Sequence, residues 1–191
     1  MSATNAPFGL RPAYHPSGLD RATALADGIV TAYSANIYKG QPVKMATTGV
    51  IQAAAAGDAF LGAFSGVEWT DTTGRRRVSN YWPANTAYQT GSCIAYFYQD
   101  PNIVYEIQAA GSLAQTSIGD EADLSNTTAG STTTGLSACT LSTTLAGSGN
   151  SAQMRIINLA PYPDNAWGDS YTIVRTTIAK YQFAGVAGTA I

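Results

Sequence analysis

Period two is the signal that most restricts what this chain can fold into. SYTIVRTTIAKYQF (170–183) alternates for a dozen residues and is rich in β-branched types, the pattern of a pleated strand whose successive side chains face opposite ways. AQMRIINLA (152–160) sets Arg155, Ile157 and Leu159 against Met154, Ile156 and Asn158. No stretch holds a 3.6-residue period for more than two turns, so helix is scarce. Further β candidates are GIVTAYS (28–34), QPVKM (41–45), GVIQA (49–53) and AFLGAFSGVEW (59–69), separated by the turn signals YKG, TTG and AGD. GRRRVSNYW (74–82) after TDTTG predicts a hairpin. GSCIAYFYQ (91–99) is apolar on both faces and reads as a strand buried on both sides. IVYEIQ (103–108) sets Tyr105 and Ile107 against Glu106 and Gln108 and reads as half-buried. QDPN between them, with Pro101 presetting φ, joins the two as a hairpin. Short strands at about ten-residue spacing predict a mainly β fold, an antiparallel sandwich or barrel.

Two regions depart from that pattern. NAPFGLRPAYHPSGL (5–19) holds three prolines, two glycines and the single histidine of the chain. Pro7, Pro12 and Pro16 remove backbone donors and fix φ, which excludes a helix interior and a central strand. The aromatic and aliphatic residues Phe8, Leu10, Tyr14 and Leu19 are unsuited to a solvated tail. The expectation is an extended N-terminal arm over 1–26 that carries its own apolar anchors. Residues 109–150 are rich in Ser, Thr, Gly and Ala, with Asp120, Glu121 and Asp123 as their only charges. They read as a loop-rich insertion with isolated strands such as LSACTLS. The β domain spans 27–183, and 184–191 form a small-residue tail. At 191 residues this is one domain.

Composition narrows the function classes. Charged residues are 12% of the chain, about half the usual share, which suits a surface covered by partners. The net charge of −2 carries no basic footprint for nucleic acid. Residues 1–6 have no Lys or Arg, and no apolar run follows them; a secretory signal and a membrane span are therefore not expected. Cys93 and Cys139 lack metal-ligand spacing, and Cys93 reads as a buried thiol. His15 lies in the proline arm, where a catalytic pose is hard to hold. Glu68, Asp71, Asp100 and Glu106 qualify as paired carboxylates by position only, and turn or strand-edge roles account for each. GDEAD (119–123) lacks the spacing of a calcium loop and reads as a solvated turn. Neither cofactor, metal nor catalysis is expected. Arg75, Arg76 and Arg77 form the one charge run, either a solvated face or a docking patch for an acidic surface.

Several phrases carry a resemblance: NAPFGLRP, YKGQPVKM, VIQAAAAGDAFLGAFSGV, YQDPNIVYEIQAAG and PYPDNAWGDSYTIVRTTIAKYQF. They resemble a group of tailed-bacteriophage virion proteins that decorate, cement or stabilise the head beside the major capsid protein. The resemblance runs in patches over about residues 5–110 and 152–183, and its phrases are structural. It implies a protein assembled in the host cytoplasm that ends on the capsid exterior, where it bridges capsomers. Its partners would be the major capsid protein and its own copies, as a dimer or trimer, with neither nucleic acid nor membrane. In that setting the arm is a clasp that buries its anchors Phe8, Leu10 and Tyr14 on a neighbour, and Phe8, Leu10, Arg11 and Tyr14, with Arg75, Arg76 and Arg77, are the candidate partner-binding residues. The rival is a tail or fibre component that binds a host carbohydrate or receptor, with Trp69, Trp82 and Trp167 as its platform.

Overall fold

The computed structural model describes residues 2–18, 22–147 and 149–184. Among these lie twelve strands: β1 (Arg11–Tyr14), β2 (Ala22–Ala26), β3 (Pro42–Met45), β4 (Ile51–Ala53), β5 (Gly62–Thr70), β6 (Arg76–Ser79), β7 (Ile94–Tyr98), β8 (Val104–Gln108), β9 (Glu121–Ser125), β10 (Thr140–Leu145), β11 (Met154–Leu159) and β12 (Ile173–Ile178). They form two antiparallel six-stranded sheets, a mainly β sandwich that does not close into a barrel. The first sheet runs β1-β8-β12-β11-β9-β10. The second runs β2-β7-β5-β3-β4, with β6 added along the C-terminal half of β5.

Two apolar clusters hold the sheets. In the first, Phe60 and Ala63 meet Tyr105, Ile107, Met154 and Val174 of the opposite sheet. In the second, Phe64, Val67 and Phe97 pack against Ile29, Ile37, Trp82 and Cys93. β5 thus serves both clusters: Ala63 enters the first, Phe64, Val67 and Trp69 the second, while its polar residues Ser65, Glu68 and Thr70 stay half-buried. Within the second sheet, β5 and β7 approach closely at Gly62, where a Cβ would stand 1.8 Å from the Tyr98 carbonyl oxygen.

The β5–β6 hairpin forms as its turn predicts. Asp71 Oδ1 accepts the amides of Thr73 (2.9 Å) and Arg75 (3.0 Å) and the Thr73 hydroxyl (2.6 Å). By contrast, β7 and β8 are not a hairpin. β7 pairs with β2 and β5, while β8 pairs with β1 and β12 in the other sheet. The turn at Asp100 and Asn102 carries the chain across the sandwich. The expected burials are also exchanged. All five β8 residues are buried, whereas β7 alternates buried with half-buried. The N-terminal residues cause this by covering the polar face of β8. Gln108 donates to the Thr4 carbonyl (3.0 Å) and accepts the Ala6 amide (3.0 Å).

The arm is likewise corrected. Pro12 lies in β1, an edge strand, the sheet position that tolerates a residue without an amide hydrogen. Leu10 is 1% exposed inside the first cluster of its own chain, so it is not spare for a neighbour. β2 also falls within the stretch read as arm. GIVTAYS holds no strand; Ile29 enters the second cluster from a turn region. The Ser/Thr-rich stretch supplies β9 and β10 to the first sheet, and GDEAD runs into β9 instead of forming a solvated turn. Glu121 accepts from Arg155 (2.6 Å) and from the Ala152 amide (2.8 Å). Cys93 and Cys139 are free and buried in different clusters. Burial pushes their thiols up to about 11 and about 12 respectively. The tail beyond Ala184 lies outside the described residues.

Candidate binding groove

Two glycines allow the N-terminal segment to lie against the second sheet. A Cβ on Gly9 would stand 2.6 Å from the Gly40 carbonyl oxygen, and Gly9 has φ +74°. Gly40 has φ +80° in the turn closed by the Gln41 amide on the Tyr38 carbonyl (3.0 Å), a backbone that favours glycine. The Leu10 amide then donates to the Gly40 carbonyl at 2.8 Å. A third segment joins them. The Lys39 amide bonds the Gly135 carbonyl and the Ser137 amide bonds the Lys39 carbonyl, each at 2.9 Å. Leu136 is thereby fixed beside Lys39, 40% exposed.

Between these segments opens a groove of about 380 Å³. Phe8, Leu10, Phe64, Tyr98 and Leu136 give it apolar walls, and Arg11 and Lys39 give it two cations. Among the described residues no Asp or Glu lines it. Low local dielectric near such walls strengthens any charge pair made there. Of the two cations, Arg11 is paired with Glu106 at 2.8 Å, with its side chain 46% exposed, and Lys39 forms no ion pair among the described residues.

A buried carboxylate holds Arg11 in place. Glu106 is 6% exposed and accepts from Arg11 (2.8 Å), Arg175 (3.3 Å) and the Tyr162 hydroxyl. Burial alone would push this carboxyl up; the bonds from Tyr162, Arg11 and Arg175 outweigh that and hold it below the ordinary glutamate range. Arg11 also stacks over Phe8, 4.5 Å from the ring centroid. Arg175 lies 5.3 Å over Tyr14. Phe8, Leu10 and Arg11 thus share the groove, while Tyr14 stands on the Glu106 face.

Arg75 to Arg77 lie elsewhere, on the β5–β6 hairpin. Arg76 pairs with Glu68 at 2.6 Å and Arg77 with Asp71 at 2.9 Å, so two of the three charges are matched within the chain. The bonds from the Thr73 hydroxyl, the Arg75 amide and the Arg77 guanidinium hold Asp71 well below the carboxylate range. Trp69 and Trp82 meet edge to face in the second cluster, with centroids 5.5 Å apart, and Trp167 is half-buried against the first. His15 sits beside Ser17 and 3.0 Å from Asp100. Among the described residues no three His, Cys, Asp or Glu side chains gather as a metal-ligand set.

Sequence reading missed Lys39, Leu136, Phe64 and Tyr98 as groove residues. YKG marked a turn correctly, but only the tertiary fold brings that turn beside residue 136, roughly half the chain away. Compared with known protein families, curated proteins and solved structures, the chain matches none.

Proposed function

We propose that this chain is a structural protein of a tailed-phage virion, which decorates the outer capsid surface and stabilises it by bridging capsomers of the major capsid protein. The phrases that resemble head-decoration proteins motivate the reading, and the groove is the observation that carries it. Lys39, which has no acidic partner among the described residues, and Arg11, still half-exposed in its pair with Glu106, stand over apolar walls and fit an acidic loop presented by a shell subunit. The docking role moves from the arm as a free clasp and from the arginine run to Phe8, Arg11, Lys39 and Leu136. Arg75 is the member of that run whose side chain has no acidic partner among the described residues, so it supplies at most a second contact. The receptor-binding alternative is less favoured, because Trp69 and Trp82 are spent on the core.

The test is sedimentation of the purified protein with expanded heads. Parent protein should bind at high copy number, with affinity falling as salt rises, since exposed charges are screened. The double variant Lys39→Glu, Leu136→Asp should lose at least about tenfold in affinity, the equivalent of 1.4 kcal/mol, while melting like the parent. Undiminished binding by that variant rejects the groove; absence of binding by the parent rejects decoration.

A further inference from the structure

Sheet edges present unpaired backbone donors and acceptors, and folded proteins blunt them with charge, proline, bulges or cover. Most edges here are treated that way. β1 carries Arg11 and Pro12, and β6 carries Arg76 and Arg77. In β4 the amides of Ile51 and Ala53 are taken by the Gly28 carbonyl (2.7 Å) and the Tyr33 hydroxyl (3.3 Å). In β10 the Leu141 carbonyl takes the Ala110 amide (2.8 Å). β2 differs from all of them. Its sequence is ATALA, with neither charge nor proline, and four of its five residues are exposed. It pairs with β7 across all five residues on one side, and among the described residues no strand pairs with its other side.

We infer that β2 is a self-association edge, which pairs antiparallel with β2 of a second copy about a twofold axis. The strand is nearly its own complement in that arrangement. With Ala24 opposite Ala24 of the second copy, Ala22 opposes Ala26 and Thr23 opposes Leu25. Uncharged edges set no like charges against each other. Leu25, half-buried against the second cluster, gains cover from Thr23 of the other copy. The alanines leave the adjoining face flat beside the half-buried Ile94 and Tyr96 of β7, so no bulky group blocks approach. An isologous contact of this kind closes at two copies and does not propagate.

The inference deepens the decoration reading and rests on it for the setting in which pairing matters. Two five-residue edges bury less than the roughly 1,200–2,000 Å² of a standard interface, so the pair is weak in dilute solution. Copies held on a shell meet at high effective concentration, where a weak contact contributes avidity.

Disulfide trapping tests this directly, because it accumulates even a weak pair. Opposed residues in an antiparallel pair have Cα atoms about 4.5–5.5 Å apart, within the roughly 4.4–6.8 Å a disulfide spans. Ala24→Cys should therefore form a reducible dimer under mild oxidation. Val78→Cys on β6, at a site 77% exposed, is the collision control. The native thiols are buried and do not compete. Crosslinking of Ala24→Cys at least about tenfold faster than the control is expected from a preferred encounter; equal rates overturn the inference. Ala24→Glu and Ala24→Lys should each abolish concentration-dependent sedimentation of the parent, and their mixture should restore it. Misfolded variants would not rescue each other, and a mixture that stays monomeric also overturns the pairing. Equal crosslinking with intact head binding removes this edge and leaves decoration standing. Fast crosslinking without head binding does the reverse.

Discussion

Replacing Leu10 with alanine separates an arm that belongs to its own fold from one that only clasps a neighbour. Leu10 is buried among residues of the first cluster, beside the contact its amide makes with Gly40. The substitution removes three buried carbons, about 2.4 kcal/mol at roughly 0.8 kcal/mol each. A cavity adds to this, because the surrounding strands relax only in part. The expected loss is about 3 kcal/mol, within the range of about 2–5 kcal/mol for such sites. For a chain of this size that lowers the melting temperature by about 6–12 °C, at roughly 2–4 °C per kcal/mol. The assay is urea unfolding of the isolated protein, followed by fluorescence of the buried Trp69 and Trp82. The midpoint should fall while the slope stays unchanged. Phe8→Ala, at a half-buried site, should cost clearly less. A Leu10→Ala change within about 0.5 kcal/mol, the size of a surface substitution, would refute the packing argument and return the arm to a free clasp. Deletion of residues 2–14 is expected to unfold more than an arm, since it also removes β1 and uncovers Glu106.

Glu106→Gln should cost about 1–3 kcal/mol at neutral pH, because a buried charged acceptor is lost while the half-exposed Arg11 regains solvent. Its sign with pH follows from the lowered folded value. The carboxylate's contribution is present above the unfolded glutamate pKa, about 4.3, and is lost as pH falls through the lower folded value. The stability gap between parent and Glu106→Gln, measured by urea unfolding at successive pH, should therefore close on acidification; a gap that widens toward acid contradicts the hydrogen-bond assignment. Gly62→Ala should prevent folding or lower the melting temperature severely, since its Cβ meets rigid backbone at 1.8 Å, and a variant that melts like the parent by circular dichroism would disprove that close approach.

Alternation along the chain was enough to identify a mainly β protein, to place most strands within a few residues, and to mark the Asp71 hairpin. Each of these depends on neighbours a few positions apart: side chains alternate by backbone geometry, and one aspartate can organise its own turn. Pairing partners lie beyond that range. YQDPN looks like a hairpin loop, yet the strands on either side enter different sheets, because packing against β2 and β5 on one side and β1 and β12 on the other outweighs the local turn. Glu106 looked half-exposed from its own strand. It is buried because Arg11 and Arg175, 95 and 69 residues distant, converge on it with Tyr162. The groove follows the same rule, since Phe8, Lys39 and Leu136 come from separate segments held by bonds across Gly9 and Gly40. Local sequence sets which way each side chain faces; only the assembled sheets decide what it faces, because that depends on contacts between segments far apart in the chain.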